Sequence, residues 1–181
     1  MAGLWLAGCA AAAPVPSPAG ERVVEAGGEL APAVLPARMV TVEGPDFIAS
    51  GWVEVPGDSR LPAALVMADA AARAELLKAV RVGVAQAISV RLEDRNGASS
   101  TEAESVTAQV ASGVLPGLAP PIHGWRKVER QGELTLQVLA RLTANREAVV
   151  SALARALGDR PDSLDLAKRA AGLVGQETKS P

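Results

Sequence analysis

Apolar positions recur at two periods along this chain, and the switches between them outline the fold. Met39 to Glu43 alternates and stops at Gly44-Pro45, which predicts a strand and a turn. Gly51 to Val55 predicts a second short strand, closed by Pro56-Gly57. The stretch between them, with Phe47 and Ile48, has no clear period. From Pro62 to about Val82 the period changes to that of a helix: Leu65, Ala68, Ala72, Leu76 and Val80 form one stripe. The alanines at 68, 70, 71, 72 and 74 predict close packing of this helix on a sheet. Gly83 is read as its end, and the alternation from Ala87 to Leu92 as a further strand.

Asp94 to Gly97 has the composition of a turn. Ser99 followed by Glu102 has capping-box spacing, opening a helix with Ala103, Val106, Val110 and Val114 on one face. Pro116-Gly117 closes it. A hairpin follows, with arms Gly124–Arg130 and Glu133–Leu142 and Gln131-Gly132 at the turn. Its second arm alternates cleanly. In the first, Trp125 and Val128 fall on opposite parities, which a bulge would reconcile. Asn145 is placed to cap a helix carrying Val150, Leu153 and Leu157, ended by Gly158, and a last helix is expected from Asp162 to about Val174. The pattern predicts an α+β fold: a small antiparallel or mixed sheet with two helices packed on it, plus C-terminal helices.

Composition narrows the function classes. The 181 residues suffice for one domain with a real core. Apolar residues are 49% of the chain but aromatics only 2%, so the core must be small and aliphatic. Eighteen basic and 20 acidic residues give a net charge of −2, without the basic face that nucleic acid requires. One cysteine and one histidine exclude an internal disulfide and thiolate or imidazole metal clusters, and no cofactor motif is present. No apolar stretch approaches the roughly 20 residues needed to cross a bilayer.

Chemistry can be named at one residue. Leu6-Ala7-Gly8-Cys9 matches the lipobox of bacterial lipoprotein precursors. Small residues there admit a signal peptidase, and only a thiol can form the thioether to a diacylglyceryl group. Each buried CH₂ of the lipid contributes about 0.8 kcal/mol to anchoring. The eight residues before Cys9 lack the basic and long apolar segments of a full signal peptide. The alternative is a free cysteine in a short apolar leader. The small-residue and proline run from Ala10 to Pro18 favours the lipobox, because it reads as an extended tether. The expected organisation is therefore a truncated signal peptide (1–9), a tether (10–37), an α+β domain (38–143) and a C-terminal helical extension and tail (144–181).

Other candidates favour plain roles. His123 lacks a neighbouring nucleophile and orienting carboxylate in sequence, and reads as a loop or strand-start residue. Asp69, Arg73 and Glu75 have the spacing of a solvated helix flank. Glu102 and Glu104 open a helix, where negative charge meets the dipole. Trp52 and Trp125 are either core residues or exposed anchors of an assembly interface, and solvent exposure distinguishes the two.

Between Val40 and Thr143 the order of elements carries a resemblance. The opening strand, the alanine-rich helix from Met67 to Leu77, the helix ending Val110 to Leu115 and the tryptophan-led hairpin resemble the bacterial membrane-associated lipoprotein-20 family. That family is related to the N-terminal domain of flagellar assembly protein T. The resemblance implies a compact α+β domain at the cell envelope, without catalytic residues, with some relatives acting in flagellar or surface assembly. The tyrosines that relatives often carry in the hairpin are absent here. The expectation is a non-enzymatic lipoprotein of the outer membrane facing the periplasm. Its partners would be the membrane, through Cys9, and an unidentified envelope protein, with self-association open. The competing expectation is a periplasmic module that binds a small ligand or peptidoglycan, for which a polar-lined pocket would be the sign.

Overall fold

The computed structural model describes residues 20–30, 35–91, 98–158 and 162–174. It is an α+β fold: a five-stranded antiparallel sheet with four helices. The strands are β1 (Glu21–Gly28), β2 (Val40–Glu43), β3 (Asp46–Pro56), β4 (Ile122–Arg130) and β5 (Glu133–Asn145). The helices are α1 (Leu61–Arg91), α2 (Ala98–Val114), α3 (Arg146–Leu157) and α4 (Ser163–Leu173). Across the sheet the order is β1-β4-β5-β3-β2.

The long β3–β5 ladder is the spine of the sheet, with eleven paired positions from Asp46↔Asn145 to Pro56↔Thr135. β4 and β5 form the expected hairpin. Gln131 and Gly132 have φ of 54° and 85°, the left-handed pair of a two-residue turn that matches strand twist. The alternation of β5 then sorts residues by face. Leu136, Val138, Ala140, Leu142 and Ala144 join the main core, while Gln137 and Leu139 point the other way.

α1 packs directly on β3 and β5, and α2 and α4 pack on α1. Its buried stripe, Ala64, Ala68, Ala72, Leu76, Val80, Val84 and Ala87, starts with alanines where helix and sheet are closest. A Cβ on Gly51 would run into the backbone carbonyl of Ala68 and the backbone nitrogen of Ala72. The sheet therefore has no side chain at that point, and the helix has only methyl groups. Two helices on the sheet were expected; α2 instead packs against α1 and α3.

Further expectations are corrected. Gly83 does not end the first helix, and Ala87 onward is not a strand, because α1 runs to Arg91. Val84, Ala87 and Ile88 continue the helical stripe and are buried. Gly83 is the point where α4 crosses: a Cβ there would lie 2.5 Å from the Ala170 carbonyl oxygen. Order does not begin near Arg38, since β1 lies inside the expected tether and pairs with β4. The helices expected after Asn145 are present as α3 and α4, and their Leu153, Leu157, Leu166, Ala167 and Ala170 belong to the same core cluster as the sheet. Nor is there a bulge between Trp125 and Val128, since β4 and β5 pair without a break. The irregularity lies in β1, between Val23 and Glu25. The expected turn at 94–97 and the side chains of Ser99 and Glu102 lie outside the described part.

Asn145 does the capping its position suggested. Its side-chain oxygen accepts from the backbone N–H groups of Glu147 and Ala148 at 3.0 and 3.1 Å. Its Nδ2 donates to Asp46 at 3.3 Å, tying the cap to β3. Asn145→Ala is expected to lower unfolding free energy by about 1 kcal/mol, the usual worth of an N-cap, read from the urea midpoint.

Candidate functional site

Cys9 lies outside the described residues. The two tryptophans are described, and the sheet separates them. Trp125 pairs with Val138 and Trp52 with Leu139, neighbours on β5, so the indoles project from opposite faces. Trp125 packs half-buried against the main core, with its ring over Gly27, where a Cβ would lie 3.0 Å from the indole. Trp52 is half-buried on the face away from the helices. The pair therefore does not form one anchor surface.

That second face carries a polar cluster. Arg126, Gln137 and Glu54 stand side by side on β4, β5 and β3. Arg126 Nε donates to Gln137 Oε1 at 2.6 Å, and Gln137 Nε2 donates to Glu54 at 3.1 Å. Glu21 of β1 completes the cluster. Its carboxylate accepts from Arg130 at 2.6 and 2.8 Å and lies 2.8 Å from Arg126 Nη2. The Arg126 contact leaves Glu21 Oε1 in an ion pair without an aligned hydrogen bond. The hydrogen bond from Arg130 to Glu21, and then Glu21's charge, hold the Arg130 guanidinium above its ordinary pKa. Glu21 and Arg126 side chains are only 2% and 8% exposed, whereas Arg130 is 48% exposed. On the same face Val128, Leu139 and Ile48 are buried too.

A second junction joins His123 to Asp69, residues the sequence left apart. His123 Nε2 lies 2.5 Å from Asp69 Oδ1, linking β4 to α1 across the core face. The His123 carbonyl oxygen accepts from Glu29 and Leu30 backbone N–H groups at 2.7 and 3.0 Å. An aspartate can orient an imidazole for proton transfer, but that use needs a reacting partner. Among the described residues no hydroxyl or thiol bonds the ring. The pair fastens strand to helix. Arg73 and Glu75 take no part in it; Glu75 pairs with Lys78 at 3.7 Å on the surface.

Three open clefts of about 390, 350 and 500 Å³ lie near the start of α3. The first is bordered by Asp46, Asn145, Ser151 and Arg155. Its central polar pair, Asn145 and Asp46, is already engaged with itself and with the α3 cap. Among the described residues no group of three or more His, Cys, Asp or Glu side chains could hold a metal ion. No helix among them is long and apolar enough to cross a membrane.

The arrangement as a whole is an α+β domain in which the Glu21–Arg126–Gln137–Glu54 cluster joins strand to strand and the His123–Asp69 pair joins strand to helix. Comparison with protein families, curated proteins and solved structures gives no match.

Proposed function

We propose that this chain is a lipid-anchored lipoprotein of the bacterial cell envelope, acting as a non-enzymatic structural or interaction module in flagellar or surface assembly. The observation that carries this reading is Leu6-Ala7-Gly8-Cys9 followed by the alanine- and proline-rich run to Pro18. The resemblance of Val40–Thr143 to the membrane-associated lipoprotein-20 family supports it. So does the chemistry of the cluster and of the His123–Asp69 pair, which favours joining over turnover. Ala10 at the position after the cysteine, where an aspartate is the familiar inner-membrane retention signal, favours the outer membrane facing the periplasm.

The reading is tested by expressing the full chain and its Cys9→Ala variant in a bacterial host with labelled palmitate. The expected result is label and membrane sedimentation for the parent, and loss of both in the variant. A variant that still sediments with membranes, beside a parent that takes up no label, sinks the anchor.

A further inference from the structure

β1 is held differently from every other strand. It lies at the sheet edge beside β4, and six of its eight residues are exposed. No β1 residue belongs to the hydrophobic core cluster or packs against it, whereas β2, β3 and β5 contribute to the cluster and β4 reaches it through Trp125. A bulge at Val24 interrupts its ladder. Two glycines with left-handed backbones bracket it, Gly20 at φ +93° and Gly28 at φ +95°, conformations that let the chain turn sharply at either end.

Two clasps hold it. At one end Glu21 grips Arg126 and Arg130. At the other, Glu29 and Leu30 donate to the His123 carbonyl and Gly27 lies under Trp125. Removing β1 would cost these contacts, the ion pairs Arg22–Glu129 and Glu25–Lys127 between them, and one ladder. It would leave the buried stripe of α1, the β3–β5 spine and the C-terminal helices untouched. Elements with few buried apolar contacts open at lower free energy than the global fold.

We propose that β1 is a strap: it leaves β4 as a unit while the rest of the domain stays folded, and its release lengthens the connection between Cys9 and the domain. The second half rests on the lipid-anchor reading; the first does not. With the strap docked, eleven residues (10–20) lie between Cys9 and Glu21. With it released, the fold resumes at Met39, whose carbonyl accepts from Ser50, and 29 residues (10–38) intervene. At roughly 3.5 Å per extended residue, the maximum reach grows from about 40 Å to about 100 Å. Release also bares the β4 edge with Arg126, which the docked strand covers, and takes Glu21 away from the half-exposed Arg130.

Hydrogen exchange on the full chain tests the strap. The β1 amides bonded to β4 are expected to exchange about 100-fold faster than those of Leu136–Leu142 in β5. Glu21→Gln keeps the shape and removes the charge. It is expected to accelerate β1 by tenfold or so and β5 by about the same factor, because both open from the native state that the variant weakens, so the roughly 100-fold gap between them persists. A common exchange rate for β1 and β5, in the parent and in the variant, overturns the proposal. Palmitate labelling of the same protein separates its two halves. A fast β1 in a chain that takes up no label keeps the strap and removes the change in reach.

Discussion

Gly51→Val is expected to abolish stable folding, and Gly51→Ala alone to cost about 3 kcal/mol or more. The reason is the atoms that a Cβ would meet. They are the Ala68 carbonyl oxygen and the Ala72 nitrogen, both in the α1 backbone. A flexible side chain could swing away; a helix backbone can move only with the helix. α1 is the one element that touches β3, β5, α2 and α4, so its displacement would loosen all of these contacts. Ala64, Ala68 and Ala72 are at most 1% exposed and offer nothing to trim in compensation. Gly113→Ala is the control. A Cβ there meets nothing within 4 Å, so its effect should stay within about 1 kcal/mol and be neutral or favourable. Far-ultraviolet circular dichroism during urea unfolding measures both. A Gly51→Ala midpoint equal to the parent's would mean that α1 does not sit this close to β3.

The elements that were legible in sequence are those whose partners lie nearby or whose faces differ sharply. The hairpin showed because its turn residues and the alternation of β5 agree, and the α3 cap because Asn145 acts on the next three residues. The misread segments have physical causes. Ala87 to Leu92 alternates, but Val84, Ala87 and Ile88 also continue a helical stripe, and the two periods cannot be told apart over six residues. Gly83 reads as a stop in sequence because its other use, admitting α4, depends on Ala170 far along the chain. Phe47 and Ile48 carried no alternation because both sheet faces are buried at that end of β3, at 0% and 8% exposure. β1 reads as tether in sequence because its glycines resemble a linker and its side-chain hold is ionic. The polar cluster followed it out of view: Glu21 and Arg130 are 109 positions apart, and nothing local links them. His123 and Asp69 needed the placement of α1 over β4, which depends in turn on the small residues at Gly51 and Ala68.

That ionic hold gives the second large effect. Glu21→Leu is expected to destabilise the protein by about 3 kcal/mol, and Arg126→Leu by less. The asymmetry follows from what each change leaves behind. Without Glu21, the Arg126 guanidinium, 8% exposed, keeps one neutral partner, Gln137, and no carboxylate within its former contact. Without Arg126, the Glu21 carboxylate keeps two hydrogen bonds from Arg130, whose own exposure lets water share its charge. A buried charge stripped of its counterion costs far more than a pair exchanged whole. The double variant Glu21→Leu/Arg126→Leu should therefore recover most of the loss, with a coupling energy of about 2 kcal/mol in the cycle. Denaturant unfolding of the four proteins measures it. If the ion pair is only a solvated surface contact, the single losses fall below about 1 kcal/mol and simply add. High salt separates the cases again: about 1 M sodium chloride shortens the screening length to roughly 3 Å and would erase a surface pair, but it should leave most of the coupling between two side chains this deeply covered.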